Sequence, residues 1–189
     1  MQDFLIEHAG NPAIQLAALF IGPFILEEAA LLGGATLAAT GELSAAAALL
    51  ALYLGIVVSD WFVYGLGALA GRSARVRALI GEHNIAFGRR MLQRGALAAC
   101  LTARLVPWLL FPIFAGCGFL GTGFWRFAAL NAVIAAVYTN ALFWSLYGLD
   151  LFLFAWLDVW AWPVIALAVV ALFVFGRIAA KRYAAREKL

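Results

Sequence analysis

The sequence predicts an all-α polytopic membrane protein with about three full transmembrane helices, two opposed re-entrant helical hairpins and an interfacial amphipathic helix. Three observations predict it. Of 189 residues, 66% are hydrophobic and only 12% charged, too little charge to cover a water-soluble domain. Residues 8–26, 43–59 and 105–149 are apolar stretches with almost no charge, and about 20 apolar residues suffice to cross the hydrocarbon as a helix. These runs are continuous and rich in Ala and Leu, whereas barrel strands would alternate polar and apolar residues. The 13 Lys and Arg against 10 Asp and Glu leave a net charge of +3, too small to point to nucleic acid, so the position of the charges carries the information.

The chain reads as one membrane domain over residues 1–189. Met1-Gln2-Asp3-Phe4 offers no basic n-region, so no cleavable signal is expected. Residues about 13–41 form a first re-entrant hairpin. Asp3, Glu7 and Glu42 flank it without any Lys or Arg, which puts both ends outside, and Gly22-Pro23 and Gly33-Gly34 are its expected breaks. Residues about 43–70 cross inward to a basic segment, residues 72–95, with Arg72, Arg75, Arg77, Arg89, Arg90 and Arg94 on the cytoplasmic side. Val76, Leu79, Ile80, Phe87 and Met91 recur there at roughly helical spacing, as in a helix lying on anionic headgroups, although Gly81 and Gly88 count against an unbroken one. Residues about 96–120 begin and end in the cytoplasm and so form a second hairpin, with Pro107 and Pro112 at its turn. Residues about 122–148 cross outward to an acidic turn holding Asp150 and Asp158. Residues about 160–180 return, and a basic cytoplasmic tail, 181–189, completes a block of Arg177, Lys181, Arg182, Arg186 and Lys188. Opposed hairpins of this kind are one way transporters build a midplane site.

The informative residues are charges at membrane depth, which persist mainly when paired or lining a wet cavity. Glu27 and Glu28 follow Pro23. Asp60 precedes Arg72 by enough residues to lie roughly 18 Å from the cytoplasmic end of a straight helix. Arg104 sits in the second hairpin with no other charge between Arg94 and Arg126. A guanidinium binds phosphate as a planar fork, and the helix N-termini of broken hairpins add N–H donors for the same anion. Carboxylates away from bulk water are suited to exchanging protons, which makes Glu27, Glu28 and Asp60 candidates for proton coupling. The alternative is a buried ion network that only pins the hairpins together.

Other features carry less. Cys100 and Cys117 lack metal spacing and read as small core residues. His8 and His83 have no partners at metal spacing, and no cofactor is expected. Gly67-Ala68-Leu69-Ala70-Gly71 has small-xxx-small spacing but does not argue for a dimer, and the oligomeric state is left open. Trp156, Trp160 and Trp162 read as an outer aromatic belt, and Asn131, Tyr138 and Asn140 as interhelical hydrogen-bonders. No nucleophile motif or P-loop is visible.

Taken in order, these residues resemble the DedA family, also called the SNARE-associated or VTT-domain family, over roughly residues 10–175. The matching features begin with Pro23, then Glu27-Glu28, Gly33-Gly34 and Gly41. Asp60 and Tyr64 lead on to Gly67 and Gly71-Arg72, and Gly95 precedes Arg104-Leu105-Val106-Pro107. A second proline stands before Ala115-Gly116, and Phe127 precedes Asn131. The resemblance implies a lipid transporter, a flippase or scramblase of the bacterial cytoplasmic membrane dependent on the proton motive force. Undecaprenyl phosphate is the first substrate it suggests and a phosphatidylethanolamine-type phospholipid the alternative. Carried over by position, Arg104, Glu27, Glu28 and Pro107 would bind substrate, and Glu27, Glu28 and Asp60 would carry protons. The family pattern has a second arginine near Leu109 or Leu110, and this sequence has none before Arg126; Tyr138 stands where the family often has Trp. A lipid-modifying enzyme and a structural membrane protein are the readings from other classes.

Overall fold

The computed structural model describes residues 11–93, 95–106, 109–157 and 167, and these are helical with no strand among them. Helix α1, Pro12–Ile21, is started by the Asn11 side chain, which accepts from the Ala13 N–H, and by proline at its first position. A 3-10 turn at Gly22–Phe24 follows, then Leu26 in extended conformation, then α2, Glu27–Ala39. The break falls at Gly22-Pro23 as expected. The Gly33-Gly34 break does not occur, because both residues lie inside α2. A Cβ on Gly34 would stand 2.6 Å from Leu52 Cδ1 and 3.2 Å from Leu19 Cδ2, so this glycine serves close packing of helices and not a turn.

Ser44 caps α3, Ala45–Ala70, and α3 is one of two helices among the described residues long and apolar enough to cross a membrane. The basic segment folds as α4, Ala74–Ile80, and α5, Glu82–Leu92, separated by Gly81 at φ 85°. Its apolar stripe divides. Ile80, Ile85 and Phe87 are buried against protein and Leu79 is exposed, so this segment is not the single headgroup-facing surface expected. Gly88 does not interrupt α5 either. It faces Gly116 on α7, where a Cβ would come 2.8 Å from the Gly116 Cα.

Helices α6, Ala96–Leu105, and α7, Leu110–Phe119, are the arms of the second broken element. Pro112 is not at the break. It occupies the first turn of α7, where its missing N–H costs no helical hydrogen bond. Helix α8, Phe124–Leu157, is the second such helix among the described residues, and it runs on through Asp150, which therefore lies within the helix and not in the turn expected there. Helix-favouring apolar residues continue on both sides of Asp150, whose carboxyl is fully buried and bonded to Thr36. Apart from residue 167 the expected crossing at 160–180 lies outside the described residues, as do the basic tail, Asp3, Glu7, His8, Arg94, Pro107, Asp158, Trp160 and Trp162.

Beside the small cluster around Ile80 and Ile85, two larger buried clusters organise the molecule. One joins α1, α2 and the first half of α3 to the distal part of α8 through Leu31, Leu52, Ile56 and Phe143. The other joins the second half of α3 to α5, α6, α7 and the first half of α8 through Tyr64, Cys100, Ile113 and Phe114. Trp61 borders both. Ile25, Leu79, Leu105 and Trp125 lie on the outer surface, each 78–85% exposed, the distribution a lipid-facing surface requires.

Candidate functional site

The site forms where the two broken elements meet the two long helices. The helix break before α2 leaves the α2 N-terminus without a side-chain cap and places Glu27 and Glu28 in its first turn, where the positive end of the helix dipole favours carboxylates. Asp60 lies on the buried face of α3 with Ile56, Val57, Ser59 and Tyr64. Arg104 lies in the last turn of α6 and Asn131 in the first half of α8.

Glu27, Asp60, Arg104 and Asn131 close on one another. Arg104 Nη1 donates to Glu27 Oε1 at 2.9 Å and Oε2 at 3.0 Å. Arg104 Nη2 bonds Asp60 Oδ2, and Asn131 Nδ2 donates to the same oxygen at 2.9 Å. Nη2 also lies 3.4 Å from Asn131 Oδ1. The Arg104 guanidinium sits 5.9 Å from the Phe114 ring centroid and 5.5 Å from that of Tyr138, within reach of cation–π attraction. Asp60 and Asn131 are almost fully buried, the Arg104 side chain is 2% exposed and that of Glu27 13%, so the cluster opens on the Glu27 side.

The charges do not balance within the cluster. Two carboxylates face one guanidinium, so with all three ionised the cluster carries an excess negative charge in a setting where an unpaired charge is costly. Asp60 Oδ1 and Arg104 Nε also have no hydrogen-bond partner among the described residues. Both features leave the cluster able to accept a proton or to exchange one partner for another.

Of the residues singled out in the sequence, the structure brings together Glu27, Asp60 and Arg104. Glu28 is next to the cluster but makes none of its bonds, and Pro107 lies outside the described residues. Asn131 makes the interhelical bonds expected of it, but Asn140 donates within its own helix, to the Ala136 carbonyl. Tyr138 contributes its ring rather than a hydroxyl bond. Cys100 and Cys117 are buried free thiols. Among the described residues no group of three His, Cys, Asp or Glu side chains is placed to hold a metal. Sequence reasoning missed the role of Asn131 as a ligand of Asp60; its position two helical turns into α8 and four residues after Phe127 was the available signal.

A family model described as VTT domain matches residues 28–149, more than half of the chain. The matched segment contains Asp60, Arg104 and Asn131 and begins one residue after Glu27. Neither a curated protein nor a solved structure matches.

Proposed function

The chain belongs to the VTT-domain family of membrane proteins, also called the DedA family, and from that premise we propose that it moves a phosphate-bearing lipid across the bacterial cytoplasmic membrane. This reading makes it a transporter and not an enzyme. The observation that carries it is Arg104, held by two carboxylates at the meeting point of two broken helical elements. A guanidinium divided in this way is a site of exchange. Asp60 and Asn131 hold the Nη2 side, while the partly exposed Glu27 holds Nη1. A lipid phosphate competes with Glu27 for Nη1, and a proton on Glu27 removes its charge and releases the guanidinium. Loss of that proton restores the Glu27–Arg104 pair and expels the phosphate. Lipid movement is thereby coupled to the proton gradient, while the tails remain in the bilayer.

In this account residues 13–41 and 96–120 enter from opposite faces, the segments about 43–70, 122–148 and 160–180 cross fully, and the C-terminus is cytoplasmic. The substrate is undecaprenyl phosphate. One observation favours the second reading, a phosphodiester lipid such as phosphatidylethanolamine. Leu109 and Leu110 stand where the family has a second arginine, and a single guanidinium suits the single charge of a phosphodiester better than the greater charge of a phosphomonoester.

The test is transbilayer movement of labelled undecaprenyl phosphate and of labelled phosphatidylethanolamine in proteoliposomes, with and without a pH gradient. Wild type is compared with Arg104→Lys, which keeps the charge but not the fork. Movement of either lipid that Arg104→Lys abolishes supports transport, and the lipid moved identifies the headgroup. Folded wild-type protein that moves neither lipid contradicts the proposal.

A further inference from the structure

Among the described residues Asp150 is a buried acid that the Arg104 cluster does not use. Its side chain is enclosed within the fold on α8. Asp150 Oδ2 lies 2.9 Å from Thr36 Oγ1 on α2, and Oδ1 has no hydrogen-bond partner among the described residues. Thr36 Oγ1 also lies 2.9 Å from the Leu32 carbonyl oxygen, one turn back on its own helix. Both separations are hydrogen-bond lengths. A hydroxyl carries one hydrogen and a carbonyl oxygen none, so Thr36 can donate to only one of these two neighbours. Two full two-centre bonds need two hydrogens, and the second can come from the Asp150 carboxyl. Thr36 then donates to Leu32, and Asp150 donates its own O–H to Thr36.

The surrounding charges agree. Helices α1, α2 and α3 contain no Lys or Arg. On α2 the titratable groups are Glu27 and Glu28, about 13 Å and 12 Å along the axis from Thr36, and both are acids. On α3 the charged group is Asp60, already bonded to Arg104, and on α6 it is Arg104 itself, bonded to Glu27 and Asp60. Along α8 the cation is Arg126, about 36 Å from Asp150, and Glu42 in the connection between α2 and α3 is exposed. No fixed cation on these helices is placed to neutralise an Asp150 carboxylate, and an enclosed charge without a partner is strongly disfavoured.

We propose that Asp150 and Thr36 form a second proton-binding site, separate from the Arg104 cluster and near the opposite end of α2 from Glu27. Occupancy by a proton rests on the hydrogen-bond count and on the surrounding charges, independently of transport. Its use rests on the transport reading. There, α2 carries a proton-exchanging carboxylate in its first turn and touches a second through Thr36, so a proton held at Asp150 biases the position of the helix that presents Glu27.

Infrared absorption of the purified full-length protein at neutral pH tests the occupancy without reference to transport. The wild-type spectrum minus that of Asp150→Asn is expected to show loss of one C=O band of a protonated carboxylic acid, and Thr36→Val should shift that band without removing it. Loss of carboxylate bands instead overturns the proposal, as does a carboxylate band at Asp150 that responds to exchange of sodium for potassium, which would make the occupant a metal cation. Absence of any protonated-carboxyl band from the wild-type spectrum at neutral pH also overturns it. In proteoliposomes Asp150→Asn is expected to lose stimulation of lipid movement by a pH gradient, and undiminished stimulation contradicts the coupling role. If wild type moves no lipid, the transport reading fails and the infrared result still decides whether the proton site exists.

Discussion

Removing the Arg104 guanidinium leaves Glu27 and Asp60 facing each other without the group that holds them, so the first predictions concern single side chains. Arg104→Ala is expected to lower stability by about 3–5 kcal/mol, the usual cost of leaving buried charge unpaired, read as a drop in Tm in detergent. Glu27→Gln keeps an oxygen for Nη1 and removes the charge, so its Tm should stay within a few degrees of wild type while gradient-driven lipid movement is lost. A Glu27→Gln protein that still responds to the gradient places the coupling proton elsewhere. Glu27, Asp60 and Arg104 were legible in the sequence because charges in long apolar runs are costly and require a reason. Thr36 and Asp150 were not. Thr36 is unremarkable in an Ala-rich stretch, and Asp150 lies so near Asp158 that the pair reads as a turn; only the fold shows one of them enclosed between helices.

At the scale of elements, the helix crossings depend on missing side chains. Gly118 on α7 lies against the Tyr64 carbonyl on α3, and Gly67 on α3 against the Ala115 carbonyl on α7, so neither leaves room for a Cβ. Gly118→Ala is therefore expected to separate α3 from α7, at a cost of about 1–3 kcal/mol, the usual range for overpacking, read as a lower Tm. Gly33→Ala on α2, where an added Cβ meets nothing within 4 Å, should not lower the Tm, and its higher helix propensity should raise it slightly. Equal effects of the two would contradict the packing role. The breaks before α2 and between α6 and α7 were readable from Gly22-Pro23 and from Pro107, which falls between Leu105 and Leu110 in the sequence. Gly33-Gly34, Gly88 and Pro112 were misread as interruptions. The same residue types also allow close approach of helices or occupy a first turn, and sequence spacing does not separate these uses. The small-xxx-small segment at Gly67 serves a crossing inside the chain.

At the scale of the molecule, two broken helical elements pack on two long helices, and their charges meet where the two hydrophobic clusters adjoin. Composition alone gave the all-helical membrane class, since continuous apolar runs with little charge have few other solutions. Which acid meets the arginine depends on how α2, α3, α6 and α8 pack, and no local pattern encodes that. On the transport reading the Arg104 cluster exchanges partners and does not simply lock the fold. The most direct measurement is the charge-reversed double variant Arg104→Glu with Glu27→Arg, assayed in one preparation for Tm and for movement of labelled phosphate lipid in proteoliposomes. An exchange site predicts that the double variant recovers much of the Tm lost in Arg104→Glu alone while lipid movement stays absent, because the guanidinium no longer stands in the last turn of α6. Recovery of lipid movement together with the Tm would contradict the account and make the pair a structural lock.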